Sequence, residues 1–210
     1  MKNYFARKIR IAVLLAVFTL LTVSSVSSAS AQTTTVKVQP SNSQPNVGAT
    51  ITVDITITNV QNLFGVDMEL SWDPTVLKVL SATSFLGVES HSGGVLHGTI
   101  GIAENQLTQQ TYNLAGTSEG AATPAFSGNG KIATLTFSVL RSGQSPLTLI
   151  TELADKPASS DDTSQSINHT DVSGSINTIV PEFPTVIGLI VLLILASASL
   201  VFAKKHTKKN

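Results

Sequence analysis

The sequence predicts an all-β fold, a jelly-roll β-sandwich placed between two targeting segments. Three observations indicate this class. Apolar and polar residues alternate with a period of two in several short runs, turns rich in glycine and proline separate those runs, and no stretch between residues 32 and 178 has a convincing helical period. This middle part, about 150 residues long, has the size of one domain with a proper core.

Residues 1–31 are predicted to form a secretory signal peptide. Basic residues precede an apolar run at 11–23, and the small residues at 29–31 form an A-x-A cleavage site. The alternative is a membrane helix, but an apolar run of about a dozen residues is short for a span. We therefore expect export and cleavage after Ala31.

The domain at residues 32–178 contains eight predicted strands. The alternation is without error in 66–73, where successive side chains point to opposite faces of the sheet. Val66, Met68 and Leu70 are therefore expected in the core, and the acidic residues between them face water. The strands are predicted at 34–38, 51–57, 66–73, 77–82, 95–103, 131–140, 146–151 and 172–177.

Asp73 and Pro74 are predicted to start a tight turn directly after one of these strands. Proline fixes φ near about −65°, and an aspartate side chain can accept hydrogen bonds from backbone N–H groups beyond it. Trp72 is then expected to pack at the end of the sheet.

The C-terminal part is predicted to be a membrane anchor. Residues 179–184 form a linker, 185–203 an apolar run without a charge, and 204–210 a basic tail. Because a helix rises about 1.5 Å per residue, roughly 20 apolar residues cross the hydrocarbon core of a bilayer. Lysines after the span indicate, by the positive-inside rule, a single-pass protein of the cell membrane with its domain on the extracellular surface.

Charge is unevenly distributed along a chain that is formally neutral. All 13 acidic residues, but only five of the 13 basic ones, lie between the signal peptide and the basic tail, which gives this part a formal charge of −8. An acidic exported domain argues against nucleic-acid binding, which needs a basic surface. The absence of cysteine excludes thiol catalysis and cysteine-ligated metal sites.

No catalytic residue is predicted, and the chain is interpreted as a non-enzyme without cofactor or metal. Residues 116–120 match the G-x-S-x-G pattern around Ser118. Asp155 and His169 follow in the order of a hydrolase triad. The pattern works only on a turn from a buried strand into a helix, and Pro124 and the lack of helical periodicity argue against that helix.

A Ser-rich loop near the end of the domain carries two further hypotheses. Its carboxylates are hard ligands that could hold calcium, but the EF-hand spacing is absent and a solvated loop is favoured. These carboxylates belong to Asp155, Asp161, Asp162 and Asp171. Asn168 begins the single N-x-T sequon and is a predicted glycosylation site.

Residues 46–82 resemble the first half of a cohesin domain. That family has a G-x-x-V-x-V strand, a loop ending in glycine, a strand closing on an aromatic-Asp-Pro turn and a V-L-x-V strand. The matching residues here are Gly48, Val53, Gly65, Trp72, Asp73, Pro74, Val76, Leu77 and Val79. Residues 128–149 are similar to a later strand of the family and the loop and strand after it.

The resemblance implies a jelly-roll domain that binds dockerin modules, small calcium-stabilised helical partners, through one sheet face. It places Asp67 and Gly65 in the recognition strand, with Gly65 where the best-known branch has asparagine. Glu69 lies on the same water-facing side. These three residues are the candidate partner contacts, and a merely solvated Asp67 is the alternative. The implied function is a cell-surface docking module with a link to polysaccharide processing.

Two other functions stay open at this point. The domain is alternatively a structural or adhesive envelope protein, or a carbohydrate-binding module with a polysaccharide as its partner. A sugar site usually presents an aromatic platform, and several of the few aromatic residues here are predicted to be in the core.

The C-terminal motif Pro181-Glu182-Phe183, followed by the apolar run and the basic tail, resembles the PEF-type sorting signals of archaeal surface proteins. Archaeosortases process those signals. The resemblance implies that a sortase-type enzyme removes the helix and that a lipid anchor replaces it. A permanent single-span anchor is the alternative.

Overall fold

We describe the protein from a computed structural model, which covers residues 32–159, 162–179 and 190–195. Within these residues the chain forms nine strands, and residues 190–195 are helical. The strands are β1 (Thr34–Pro40), β2 (Thr50–Ser71), β3 (Leu77–Ser84), β4 (Ile100–Leu107), β5 (Thr111–Ser118), β6 (Phe126–Val139), β7 (Gly143–Asp155), β8 (His169–Val172) and β9 (Gly174–Thr178). The all-β prediction is confirmed.

Several predicted segments fall outside the described residues and stay predictions. They are the signal peptide at 1–31, the sorting motif at 181–183, the basic tail at 204–210, and the apolar run at 185–203 apart from 190–195. In the part of the chain that the structure describes, no helix has the length and hydropathy that a membrane crossing needs.

The long strand β2 belongs to two sheets, because its two halves pair with different neighbours. Its first half pairs with β6 and β1 and gives a first sheet in the order β3-β6-β2-β1-β8. Its second half pairs with β5 and β7 and gives a second sheet in the order β4-β5-β2-β7-β9. β1 and β8 run parallel, whereas the other paired strands described here run antiparallel.

Two asparagines allow β2 to pass from one sheet to the other without a break. Asn59 and Asn62 both have a φ of 58°, a left-handed conformation that asparagine tolerates better than most residues. Each lies at a register shift against β6. The backbone N–H of Asn59 donates to Asn129 Oδ1 at 2.8 Å, and that of Asn62 donates to Ser127 Oγ at 3.0 Å. The two strands predicted here are therefore one strand with two bulges.

The predicted alternation is confirmed by burial. The inward residues of the second half of β2 are at most 5% exposed, and those of β6 are likewise buried. The Trp72 ring packs edge-on against Phe137 of β6, with 4.9 Å between ring centroids and 76° between ring planes. This contact joins the two sheets, whose inward side chains form one apolar cluster. The buried residues of these two stretches are Val66, Met68, Leu70, Trp72, Ala133, Leu135, Phe137 and Val139.

The region between β3 and β6 departs most from the prediction. The strand predicted at 95–103 begins only at Ile100, and Val95 and Leu96 are buried in the preceding loop, where both backbone N–H groups donate to the carbonyl of Leu86. β5 is not among the predicted strands, because Asn113, Ala115 and Gly116 in its middle have low strand propensity. The strand predicted at 172–177 is divided between β8 of the first sheet and β9 of the second.

The turn after β2 forms as predicted. The backbone N–H and the hydroxyl of Thr75 donate to Asp73 Oδ1 at 2.8 and 2.7 Å. Both hydrogen bonds lower the pKa of Asp73, because they stabilise its charged form, and the bond from the hydroxyl has the larger effect. The turn leads the chain from the second sheet into β3 of the first.

Candidate functional site

The outward side of the second sheet brings carboxylates from three strands into one row. Residues in register on adjacent strands share a face, so their side chains stand next to one another. We call this set the central row. Across the sheet it consists of Glu104 on β4, Ala115 on β5, Asp67 on β2 and Glu152 on β7.

Two further rows flank the central row. The first contains Gln106, Asn113, Glu69 and Ile150, and the second contains Gly101, Thr117, Gly65 and Ala154. The side-chain amide of Asn113 donates to Glu104 Oε1 at 3.0 Å and so ties the first flanking row to the central row. Asp67 and Glu69 are exposed, as predicted, whereas Gly65 is covered by its neighbours. We name the outward side of β4, β5, β7 and the second half of β2 the acidic face.

The electrostatic field of the acidic face is unbalanced. Although Asp67 is exposed at the surface, its neighbours partly desolvate the carboxylate, and this raises its pKa; the negative charges of Glu152 and then Glu104 raise it further. None of β2, β4, β5, β7 and β9 contains a lysine or arginine, whereas Lys37, Lys78 and Lys131 all lie in strands of the first sheet. A cation near the acidic face would therefore have to come from elsewhere.

A groove of about 380 Å³ opens on the acidic face beside Asp67. Its floor is made of small residues, namely Gly65, Ala115 and Ala154, and residues 164–166 form part of its border. A Cβ atom at position 65 would lie 3.4 Å from the Cβ of Ala154. This is ordinary contact, so the glycine keeps the groove open without being required by the backbone.

The sequence predicts Asp67, Gly65 and Glu69 as partner contacts, whereas it does not predict Glu104 and Glu152. The missed residues join the site only through the register of β4 and β7, and alternation within a single strand does not reveal register between distant strands. A weaker signal was present, because Leu149 and Leu153 lie on one face of β7 and Glu152 on the other, although Ile150 and Thr151 interrupt the alternation of the sequence.

The residues of the G-x-S-x-G match are not arranged as a catalytic triad. Ser118 ends β5 rather than standing on a turn into a helix; it is 3% exposed, and its Oγ has no hydrogen-bond partner within the described residues. Asp155 Oδ1 accepts from the backbone N–H of Gln165 at 2.6 Å. His169 Nε2 lies 2.8 Å from Thr151 Oγ1. Asp155 and His169 thus have other partners.

His169 and Asp171 of β8 form a polar cluster with Thr151 of β7, which links the two sheets. The Thr151 hydroxyl donates to Asp171 Oδ1 at 2.6 Å, and the Thr151 backbone N–H donates to Asp171 Oδ2 at 2.8 Å. Asp162, by contrast, accepts from Ser159 Oγ. Three of the four acidic residues of the Ser-rich loop therefore have different partners, and the fourth, Asp161, lies outside the described residues. The described ranges contain no group of three His, Asp or Glu placed to hold a metal.

Asn168 is exposed and directly precedes β8.

The aromatic side chains of the strands and loops are all covered at least in part. Within residues 32–159 and 162–179, none has an exposed ring. Trp72, Tyr112 and Phe137 are buried, and Phe64, Phe85 and Phe126 are half-buried.

Comparison with known proteins decides the family. The family model described as Cohesin domain matches residues 34–178, the full extent from β1 to β9. The chain belongs to the cohesin family. Cohesin domains are non-catalytic protein-binding modules, so the predictions of a cohesin domain and of a non-enzyme are confirmed.

Solved cohesins share this fold. A non-cellulosomal cohesin from the hyperthermophilic archaeon Archaeoglobus fulgidus is 19% identical with a TM-score of 0.51, and the match covers 72% of this chain and 94% of that one. A cohesin in a type I cohesin–dockerin complex from Clostridium thermocellum is 17% identical with a TM-score of 0.53, covering 70% and 100%. A type II cohesin from the cellulosome of Acetivibrio cellulolyticus is 18% identical with a TM-score of 0.52, covering 70% and 96%. A search of curated proteins found no match.

Proposed function

We propose that this cohesin domain is a docking module whose acidic face binds a dockerin-type partner. The observation that carries the proposal is the central row, in which Asp67 stands beside Glu152 on an open sheet surface and Glu104 follows beyond Ala115. The Clostridium thermocellum relative was solved as a cohesin–dockerin complex, and the sixth cohesin of scaffoldin B from Acetivibrio cellulolyticus was solved with a dockerin. Both relatives support a dockerin-like partner here.

The acidic face suits a rigid docking surface. Its strands are held by continuous ladders on both sides of the second half of β2, so the side chains are positioned before a partner arrives. Pre-positioned residues lose little conformational entropy on binding. The charge of the face adds long-range attraction for a partner of opposite sign, which accelerates association.

We further propose that the domain, a jelly-roll sandwich, is displayed outside the cell on a C-terminal anchor. The sequence supports this with the cleavable start at 1–31, the apolar run at 185–203 and the basic tail at 204–210. Pro181, Glu182 and Phe183 would present the tail to a sortase-type enzyme. A partner bearing a dockerin would then be held at the surface, and enzymes of polysaccharide processing are the partner class that the family resemblance implies.

Direct binding tests the docking function. The full chain, extracted in detergent, would be titrated by calorimetry with a panel of calcium-loaded dockerin modules. We expect at least one dockerin to bind, binding to be lost when calcium is chelated, and Asp67→Arg to abolish it. Lys78→Glu, a charge reversal of equal size on the first sheet, should leave binding intact. Failure of every dockerin in the panel would favour the structural or adhesive role instead.

Two measurements test display and modification. Protease added to intact cells should remove the domain, and protection from protease would contradict surface exposure. The intact mass of the membrane-extracted protein distinguishes a permanent helix from a chain shortened after residues 181–183 and joined to a lipid. The same spectrum tests glycosylation of Asn168, because Asn168→Gln should remove any glycan mass.

The carbohydrate-binding alternative has less support. Sugar sites generally use exposed aromatic rings, and in the described strands and loops every aromatic ring is buried or half-buried. Titration of the full chain with soluble polysaccharides would reveal such a site if one existed, and saturable binding would revive this function.

A further inference from the structure

The charge and shape of the acidic face indicate what a partner must carry. Resting on the docking function proposed above, we propose that the partner presents a basic surface and that one lysine or arginine side chain of it enters the groove beside Asp67. The partner's cation would lie between Asp67 and Glu152, with its aliphatic stem on the small residues of the floor.

The Asp67 carboxylate has no positively charged partner within the described residues of the chain. No hydrogen bond or ion pair within the described residues engages the Asp67 carboxylate, and the charges that act on it come from Glu152 and Glu104. Lys156, four residues after Glu152, is already engaged elsewhere. Lys156 Nζ donates to the carbonyls of Ala121 and Thr123, so its charge is directed away from the central row.

The second argument is the charge of the whole sheet. A partner approaching the second sheet meets acidic side chains from β2, β4 and β7 and no basic side chain from any of its five strands. A basic partner is attracted, and an acidic one is repelled at several points together. Charge complementarity of this kind selects partners and speeds their association.

The third argument is the shape of the groove. Gly65 has no side chain, and Ala115 and Ala154 contribute only methyl groups, so the floor is apolar and low. A lysine or arginine side chain has a long aliphatic stem that packs on apolar surface while its charged end reaches polar groups. A groove of about 380 Å³ accommodates one such side chain, with Asp67 and Glu152 at its border.

Spacing disfavours a bound divalent cation as the occupant. Glu104 and Asp67 are separated by the whole width of β5, and neighbouring strands lie about 4.8 Å apart. Only Asp67 and Glu152 are adjacent, and a calcium ion requires about six to eight oxygen ligands. A single organic cation needs only one or two carboxylates, which the groove supplies.

Small probes test the groove without knowledge of the natural partner. The full chain, labelled with ¹⁵N in detergent, would be titrated with N-acetyl-arginine amide and with N-acetyl-citrulline amide, which has nearly the same shape but no charge. We expect arginine to shift the amide signals of Gly65, Ala115 and Ala154, and citrulline to shift them far less. Equal shifts from both probes, or arginine shifts spread over both sheets, would overturn the proposal.

Two variants separate charge from space. Asp67→Asn keeps the shape of the groove and should reduce its response to arginine about tenfold. Gly65→Val keeps every carboxylate but fills the floor, and it should abolish the response. Glu89→Gln removes one exposed carboxylate in the loop between β3 and β4 and should have no effect. Thermal unfolding of each variant shows that it is folded.

A dockerin that binds the chain allows the two proposals, docking and a basic side chain in the groove, to be tested separately. If a basic side chain of that dockerin enters the groove, replacing this one lysine or arginine by alanine weakens binding to the natural chain about tenfold. The same replacement then has no further effect on binding to the Asp67→Asn variant. If the dockerin binds through the acidic face but tolerates replacement of each of its basic residues, the docking function is correct and the proposal of a basic side chain in the groove is wrong. If the arginine probe enters the groove while no dockerin binds, the groove does accept a basic side chain, but the proposed dockerin partner is wrong.

Discussion

Glu152 lies directly across the β2–β7 ladder from Asp67, and both carboxylates project from the same face of the sheet. Like charges in this position repel each other and destabilise the strand pair. Glu104 adds to the repulsion from the other side of β5. The folded domain therefore holds an unfavourable arrangement of charge that a basic partner would relieve.

Removing one charge of this pair should stabilise the free domain and weaken docking. Because the cross-strand repulsion is lost, we expect Glu152→Gln to raise the free energy of unfolding by a few tenths of a kcal/mol. Urea denaturation at neutral pH measures the change. Glu89→Gln, in the loop between β3 and β4, is the control for net charge. An equal gain in that variant would show that the effect does not come from the central row.

The raised pKa of Asp67 makes docking depend on pH. As pH falls, Asp67 takes up its proton at a higher pH than an ordinary aspartate, whose pKa is about 3.9, so attraction for a cation weakens early. We expect affinity for a basic partner to fall as pH decreases through this window. Asp67→Asn should be weaker at neutral pH and should lack this part of the dependence. Parallel pH curves for the two proteins would contradict the assignment.

The same shift has the opposite effect on stability. Between the ordinary and the raised pKa, the folded state binds more protons than the unfolded state, so the contribution of Asp67 to stability falls as pH rises through this range. The advantage in unfolding free energy of Asp67→Asn over the natural protein should therefore be largest near neutral pH and shrink on acidification. The lowered pKa of Asp73 makes stability rise with pH, but Asp73 is present in both proteins, so its contribution cancels in the comparison.

The polar cluster between the sheets should matter for stability. Thr151→Val keeps the shape of the side chain but removes the hydroxyl that donates to Asp171 and contacts His169. We expect a loss of about 1–3 kcal/mol, because two partly buried polar groups each lose one hydrogen-bond partner. Chemical denaturation measures it. Thr148→Val on the exposed side of the same strand should change stability by less than about 0.5 kcal/mol.

The aromatic contact between the sheets should be one of the costliest to remove. Phe137 is fully buried, and its ring meets Trp72 edge-on. We expect Phe137→Ala to lower the free energy of unfolding by about 3–5 kcal/mol, since it leaves a cavity beside the indole. Leu80→Ala, at a position 52% exposed on β3, is the matched surface control. A small loss for Phe137→Ala would mean that the core collapses around the gap.

Local pattern was sufficient to predict the fold class and much of the core. Alternation in β2 and β6 identified residues that are indeed buried, because side chains of a strand point to opposite faces whatever its partners are. The continuity of β2 was not predictable in the same way. Asn59 and Asn62 suggest a loop by propensity, yet hydrogen bonds from their backbone to β6 side chains make them bulges within a strand.

The candidate site was predictable only in part. Asp67, Gly65 and Glu69 follow from one strand and from the family resemblance, whereas Glu104 and Glu152 depend on how distant strands align. Ala115 was hidden for another reason, since it lies between Asn113 and Gly116, and residues of low strand propensity in the middle of β5 resemble a loop. A site built from register is thus less visible in a sequence than a core built from alternation.

The passage of β2 through both sheets has a consequence for the dynamics of the domain. Neither sheet can release its central strand while the other remains whole. Backbone amide protons in the two halves of β2 should therefore exchange with solvent through one shared opening, with similar protection factors, while the outermost strands exchange faster. A partner gripping one half of β2 would slow exchange in the other half as well.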